Sequence, residues 1–538
     1  MPAVDPLESV RAYHQRTKHR FERYAASPGY LDWSTQPDPF RRFAGADPIP
    51  LPLRADEQAV RFADLFQPGR VPVQPLTLEA LGVLLELSFG LSAWKAYGPD
   101  RWALRCNPSS GNLHPTECYA VVSGAAPVED GVYHYAPHDH LLEQRCRVAL
   151  PFQGLLVGLS SIHWREAWKY GERAYRYCQH DIGHALGALR YAAGVLGWQV
   201  RLLDHWGDAD IARLLGLDRG GEFGAAEREV PDLLCQVGLG EEGPIAIDRL
   251  LTGLDTRQWQ GQANVLSPRH SHHWPVIDEI DRATFKPRTA PARAEVVVRP
   301  PLLPTPCKAG AAQLIRQRRS AQAFDGVTAI PAKALWRMLD ATLPRADVPP
   351  FDAWPWPPRV HLLLFVHRVE GLPPGLYLFL RRDEVEADLR PRMLEEFAWQ
   401  KVENIPDHLR IVRLVQANCQ RAARSLSCHQ DIASDGAFSL GMLAEFHETL
   451  AEGSANYRHL FWECGLIGHV LYLEAEAAGV RGTGIGCFFD DPVNELLGLA
   501  DTRYQSLYHF TVGAPLLDDR LQTLPPYGHL QRQRRNHP

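Results

Sequence analysis

The sequence has no uninterrupted apolar run long enough to cross a bilayer. It also lacks a strong charge of either sign. The 57 Lys and Arg against 63 Asp and Glu leave a formal net charge of −6, too mild for a nucleic-acid footprint. The opening MPAVDPLESV carries acidic residues and no apolar core, so no secretory signal is expected. Ten cysteines are present, yet no two form a CxxC pair, which argues against a thiolate zinc site and a thioredoxin-type motif. Scattered single cysteines predict reduced, mostly buried thiols in a cytoplasmic protein. What remains is an ordinary globular composition, 45% apolar and 22% charged, with no metal, nucleic-acid or membrane partner expected.

A chain of 538 residues exceeds what one hydrophobic core usually serves, so two domains are expected. The sequence also repeats itself. Asp181-Ile182-Gly183-His184, Ala193-Gly194-Val195 and Leu214-Leu215-Gly216-Leu217 return in order as Leu466-Ile467-Gly468-His469, Ala478-Gly479-Val480 and Leu496-Leu497-Gly498-Leu499. Each copy opens with helix-spaced apolar residues: Leu186, Leu189 and Ala193 in one, Val470, Leu473 and Ala477 in the other. A glycine, a strand-like run and a short second helix follow. Upstream, residues 117–122 and 131–135 read as two strands around a turn, and residues 359–365 and 375–379 have the same layout. The fold class predicted is α+β, one sheet-and-helix unit present twice.

The expected boundaries are an N-terminal helical extension at 1–75, a first domain at 76–260, a linker at 261–306 and a second domain at 307–538. The extension rests on an amphipathic segment with Val10, Tyr13 and Phe21. The linker rests on prolines from Pro268 to Pro306, which suit an extended conformation. Its His270-Ser271-His272-His273 cluster has no carboxylate or cysteine at ligand spacing, so a histidine-rich surface loop is expected there.

Several segments resemble the FMN-dependent nitroreductase superfamily, in particular its SagB/ThcOx-type dehydrogenase branch. Residues 314–324, LIRQRRSAQAF, are similar to the family's opening helix and RRSxRxF motif, with Gln322 in place of the second arginine. Residues 107–115, NPSSGNLHP, are similar to the PSAGxxxP loop, and residues 169–177, KYGERAYRY, to the KYGxRxYR segment. GTGIGCF at 482–488 and VGAP at 512–515 are similar to the C-terminal flavin loop and last strand. The resemblance implies two tandem nitroreductase-like domains with a mixed or antiparallel sheet, paired as an intramolecular pseudodimer that could associate further. It also implies FMN as cofactor.

The residues themselves suit that cofactor. Arginine's fixed fork matches a phosphate, so Arg318 and Arg319 with Ser320 form a candidate phosphate and ribityl clamp. Pro108, Ser109, Ser110 and Gly111 offer a tight turn with two hydroxyls for the flavin's polar edge. Gly484 and Gly486, around Ile485, remove side chains and allow close backbone approach. This is no dinucleotide fingerprint, because Ile485, Cys487 and Phe488 read as strand rather than helix start. Arg520 is a further candidate phosphate contact. Lys169 and Tyr170 are the candidate catalytic pair. A lysine acts as base only where poor solvation or cations lower its pKa, and Arg165, Arg173 and Arg176 stand nearby in sequence.

The two halves divide these duties. Trp354-Pro355-Trp356-Pro357-Pro358 stands where the second half would carry its serine loop, and residues 198–203, WQVRLL, where the first half would carry its glycine loop. Ser454-Ala455 stands in place of a second Lys-Tyr pair, and Arg41-Arg42 has no following serine. One composite flavin site is therefore expected, with the second filled by Trp198 and the tryptophan–proline run. The branch's typical reaction makes a dehydrogenase of azoline-like rings in a modified peptide or small molecule the expected function. The alternatives are an NAD(P)H-dependent nitro or quinone reductase and a catalytically silent scaffold. Asp490-Asp491 ahead of Pro492 reads as a helix N-cap, and Glu463, Cys464 and His469 read as packing on a buried helix.

Overall fold

The computed structural model describes residues 5–238, 245–255, 258–292 and 298–530. The first half opens with α1 (Pro6–Arg16), β1 (Asp47–Pro50), α2 (Leu78–Ser88) and a hairpin of β2 (Leu91–Tyr97) and β3 (Asp100–Arg105). It continues through β4 (Thr116–Ser123), β5 (Gly131–Ala136), β6 (Leu141–Arg147), β7 (Gly154–Ser161), α3 (His163–Tyr170) and α4 (Ala174–Val195). It closes with β8 (Gln199–Leu202), α5 (Asp208–Leu215) and β9 (Val230–Gly238), and α6 (Pro275–Ala283) leads onward. The second half contains α7 (Ala311–Gln317), β10 (Val360–Val366), β11 (Gly375–Leu380), β12 (Gln400–Lys401) and β13 (Arg410–Gln416). After these come α8 (Gln420–Leu426), β14 (Phe438–Glu445), α9 (Asn456–Ala477), β15 (Arg481–Ile485), α10 (Asp490–Leu497), β16 (Tyr504–Gly513) and β17 (Gln522–Leu524).

Each half builds a 7-stranded sheet, ordered β1-β6-β5-β4-β7-β9-β8 in one and β12-β13-β11-β10-β14-β16-β15 in the other. Six positions correspond in chain order, from β6 to β8 and from β13 to β15. The outer edge strand differs, β1 coming from ahead of its sheet and β12 from between β11 and β13. The pairings are antiparallel. Both expected strand pairs form, with Tyr119 opposite His134 and Leu364 opposite Tyr377. β4 and β10 are buried along their whole length. They therefore read as continuous runs rather than as a polar–apolar alternation.

The halves join through α4 and α9, which pack on each other and are buried almost all round. The crossing is close because the contact residues are small. A Cβ on Gly183 would collide with the Trp462 carbonyl oxygen, and one on Gly465 with that of His180. Ion pairs then tie each long helix to the other half in related ways. Arg173 and Arg458 stand at matching positions, eleven residues before His184 and His469. Arg173 meets Asp490 of α10 at 2.9 Å, and Arg458 meets Asp208 of α5 at 2.9 Å. Such reciprocity is the geometry of a two-fold interface, here within one chain. β17, from the far end of the second half, completes a 3-stranded sheet with the β2–β3 hairpin of the first.

Three expectations need correction. The N-terminal extension is α-helical over α1 alone, with short 3-10 turns at Trp33–Thr35, Ala55–Glu57 and Phe62–Phe66. The chain then turns so that the His19 amide reaches Asp490 (2.9 Å) and Lys18 reaches Asp491 (2.5 Å), which leaves Phe21 outside the helix and 49% exposed. β1 of that extension is an edge strand of the first sheet. The linker is not extended throughout, because Pro275 opens α6 at a position where its missing N–H costs nothing. Val276, Ile277, Ile280 and Ala283 bury the inner face of α6, which packs on α1 and α4; residues 293–297 of that linker lie outside the described residues. Asp491 is not the cap, nor is Pro492 at the first position, for α10 begins at Asp490 and Phe489 is the N-cap. Among the described residues no helix is long and apolar enough to cross a membrane.

Candidate functional site

A cavity of about 880 Å³ opens between the halves. The first half contributes Pro108, Ser109, Ser110, Gly111, Tyr170 and Asp181 to its wall. The second contributes Arg318, Arg319, Ser320, Gly484, Ile485 and Gly486. Three motifs separated by hundreds of residues are thus brought to one place.

Arg318 and Arg319 leave the end of α7 at the cavity edge, Arg318 buried to 5% exposure and Arg319 half-buried. Among the described residues neither has a carboxylate within ion-pairing distance. Arg318 Nη2 donates to the Arg105 carbonyl at 3.2 Å, while Nε has no acceptor. Arg319 spends its donors on the backbone carbonyls of Arg316, Arg318 and Ser92. Burial, reinforced by the adjacent Arg318 charge, pushes Arg319 down to about 10, and burial lowers Arg318 as well. Two desolvated cations without a counter-charge are a site for an anion. Ser320 Oγ meets Tyr472 Oη at 2.8 Å, and Tyr472 Oη accepts the Gly484 amide N–H at 2.9 Å, which links the arginine pair to the glycine loop.

The glycines have a packing reason of their own. A Cβ on Gly482 would strike the Phe510 ring, one on Gly484 the Tyr508 hydroxyl, and one on Gly486 the Tyr177 ring. Across the cavity Gly111 sits at φ 59°, in the left-handed region that favours glycine. The hydroxyls of this turn face a carboxylate that sequence reasoning did not single out. Asp181 Oδ1 accepts the Ser110 amide N–H at 3.1 Å and the Ser110 hydroxyl at 3.3 Å, while Oδ2 is buried without a partner. Burial pushes Asp181 up to about 7, against the opposing hydrogen bonds from Ser109 and Ser110. Behind it Glu166 is wholly buried, with neither carboxylate oxygen bonded; burial, then the Asp181 charge, raises it well above the carboxylate range.

Lys169 stands one step back from the wall. A Cβ on Gly111 would lie 3.2 Å from its Nζ, and the Nζ lies 5.3 Å from the Tyr170 ring centre. The cationic surroundings expected for it are neutralised. Arg165 is paired with Glu117, and Arg173 and Arg176 with Asp490. Arg520 is not at the cavity: it is 73% exposed and paired with Asp518 at 2.7 Å. That acid two residues upstream was the available signal. The histidines at 270–273 do not gather either, since His270 stacks on Trp164 (4.0 Å) and His272 on Trp274 (5.5 Å). Elsewhere, His138, Asp139 and His529 bring ligand atoms within 4.8 Å of one another.

At the related place on the other side of the interface the space is filled. Trp354 and Trp356 pack edge to face at 4.8 Å, and Trp356 stacks on His459 at 3.9 Å. The space beside these tryptophans is about 70 Å³, room for two or three waters at roughly 30 Å³ each, and its walls come from the second half alone. Trp198 is buried, with its Nε1 donating to the Gln74 carbonyl at 2.7 Å. Arg41, elsewhere in the first half, is consumed by the carbonyls of Asn264 and Glu227 and by Glu229 at 3.5 Å.

Residues 315–514 match the nitroreductase family model. A solved structure from Anabaena variabilis ATCC 29413, described as a candidate nitroreductase, superposes on 94% of this chain and 99% of its own at TM-score 0.65 and 21% identity. That likeness shows the nitroreductase fold over both halves. A protein of Methanocaldococcus jannaschii, likewise named as a candidate nitroreductase, is 26% identical over 178 residues, 30% of this chain and 81% of its own length.

Proposed function

We propose that this chain is an FMN-dependent oxidoreductase of the SagB/ThcOx dehydrogenase type, with one flavin between its halves. Its substrate is an azoline-like ring, or a related C–N or C–C bond, in a modified peptide or small molecule. The division into domains at 76–260 and 307–538, with 1–75 added and 261–306 between them, belongs to the same reading. The observation that carries it is the make-up of the cavity. A buried and a half-buried arginine without a counter-charge face a serine–glycine turn and a protonatable carboxylate across a space of ligand size.

Arg318, Arg319 and Ser320 would hold the phosphate and ribityl chain, and the turn at 108–111 with Gly484-Ile485-Gly486 would border the ring. When bound, FMN accepts or supplies a hydride. The chain's own residues orient the substrate and manage the proton. Asp181, titrating near neutrality at the cavity wall, takes that proton in its carboxylate form, while Ser109 and Ser110 hold it in place. Tyr170, whose hydroxyl burial keeps protonated, and Lys169 behind the Gly111 turn complete the polar wall.

The test is the visible spectrum of the purified protein, with flavin counted after heat release. One FMN per chain is expected, bleached anaerobically by an azoline-containing peptide. Bleaching by NAD(P)H alone would transfer the assignment to a nitro or quinone reductase. Failure to take up FMN would leave a scaffold.

A further inference from the structure

Cys428 and Cys487 lie 59 residues apart, and their Sγ atoms come within 2.8 Å of each other. Cys428 follows α8 and Cys487 follows β15, so the pair is invisible to a search for short cysteine motifs. Both thiols are half-buried, and Cys487 is part of the cavity wall. The two segments are tied together. The Gln430 side-chain amide donates to the Ser427 carbonyl at 2.8 Å and to the Cys487 carbonyl at 3.0 Å. Cys428 and His429 are consecutive non-glycine residues at φ 51° and 60°, so the thiol is presented from a backbone held by its surroundings.

The neighbourhood makes the two sulfurs unequal. The Cys428 thiol hydrogen-bonds to Cys487, and this outweighs burial. His19 and the Arg173 charge add to it, holding Cys487 below the usual thiol range. His19 Nδ1 accepts the Ala25 amide N–H at 2.9 Å, which places its proton on Nε2 as a donor. The same hydrogen bond, with burial, raises Cys428. Tyr24, Tyr170, Tyr177 and Asp490 are the other titratable groups that face the pair. A ready thiolate beside a protonated thiol is the arrangement of an attacking and a resolving cysteine.

We propose that Cys487 and Cys428 form a redox-active dithiol on the cavity wall that reacts by thiol–disulfide exchange with small-molecule disulfides. The inference is independent of the flavin reading. The Cys487 thiolate attacks one sulfur of the incoming disulfide, the S–S bond breaks, and the departing thiolate takes a proton from solvent. Cys428 then attacks the Cys487 sulfur of the mixed disulfide and expels the second small thiol, which receives the Cys428 proton. One protein disulfide and two small thiols result, two electrons having passed from the protein to the small disulfide.

The test exposes the full chain, reduced and freed of reductant, to oxidised glutathione. Thiols counted after denaturation are expected to fall from ten to eight, with peptides containing Cys428 and Cys487 joined in the mass spectrum. Cys428→Ser should trap one glutathione on Cys487, whereas Cys487→Ser should leave Cys428 unmodified. Iodoacetamide labelling of Cys487 should reach half its maximal rate at least a pH unit below an ordinary thiol, which titrates at about 8.5. All ten thiols surviving excess oxidised glutathione, a bridge to any other cysteine, or Cys428 labelling first would overturn the proposal.

Discussion

Asp181 holds one bonded and one bare oxygen against the cavity, and a buried carboxylate in that state prefers its proton. A folded value of about 7 lies above the unfolded one near 3.9, so the folded state binds the proton more tightly. Stability from this residue is therefore present at low pH and falls as pH rises from about 4 through 7, by about 4 kcal/mol in total. Asp181→Asn should flatten that slope in urea denaturation between pH 5 and 8. The wild-type pH–rate profile should rise with a midpoint near 7, and the variant should lose that limb with at least about a hundredfold of the rate, still carrying one FMN. An unchanged limb would remove Asp181 from the proton transfer. The arginines offer a second separation of function from stability. Arg318→Met should weaken FMN at least about tenfold, because a charge-assisted contact is worth roughly 1.5–3 kcal/mol, yet raise the melting temperature of the apo-protein by removing an uncompensated cation. A lower apo melting temperature would mean that Arg318 is structural. The sequence carried the arginine pair and the serine turn as contiguous motifs. Asp181 escaped because its meaning lies in meeting Ser110, 71 residues away, which no spacing rule records.

The helices α4 and α9 show at the scale of elements why a repeat is easier to read than the segments around it. The I-G-H landmark lies at the crossing in both copies, where a Cβ on Gly183 would meet the Trp462 carbonyl and one on Gly468 the His184 ring. Gly183 and Gly194 lie on one helix and test this directly. A side chain at Gly183 meets the backbone of α9, whereas a Cβ at Gly194 finds only Arg190 and Leu65 at 3.4 Å. Gly183→Ala should cost at least about 1–3 kcal/mol through overpacking, and Gly194→Ala should be neutral or stabilise by roughly 0.5–1 kcal/mol through helix propensity. Equal effects in urea denaturation would contradict the close crossing. Two of the segments misread from sequence lie outside the repeat. Proline density between the halves suggested an extended chain, but one of those prolines sits at a helix start, where it is compatible with α6. The N-terminal stretch looked like one amphipathic helix because its later aromatic, Phe21, kept the pattern going. Contacts of Lys18 and His19 with α10, made in three dimensions only, ended the helix earlier.

For the whole molecule, the proposed single site between the halves has a thermodynamic signature. A cofactor held inside one half would stabilise that half alone. A cofactor in a cavity walled by 108–111 on one side and 318–320 with 484–486 on the other links both halves to one binding equilibrium. FMN at a hundred times its dissociation constant should then add about 2.7 kcal/mol to the folded state. Because both halves share the ligand, amide exchange should slow at all three segments together on FMN addition, at one stoichiometric equivalent. The related space at Trp354 and Trp356 should gain no protection at any FMN concentration. Trp356→Ala should not recruit a second flavin either, since the buried Trp354 and Trp198 still occupy that side. Protection confined to 318–320 and 484–486 would reduce the first half to a structural partner. Two equivalents of FMN would show that the filled side reopens, and the argument from its 70 Å³ would fail.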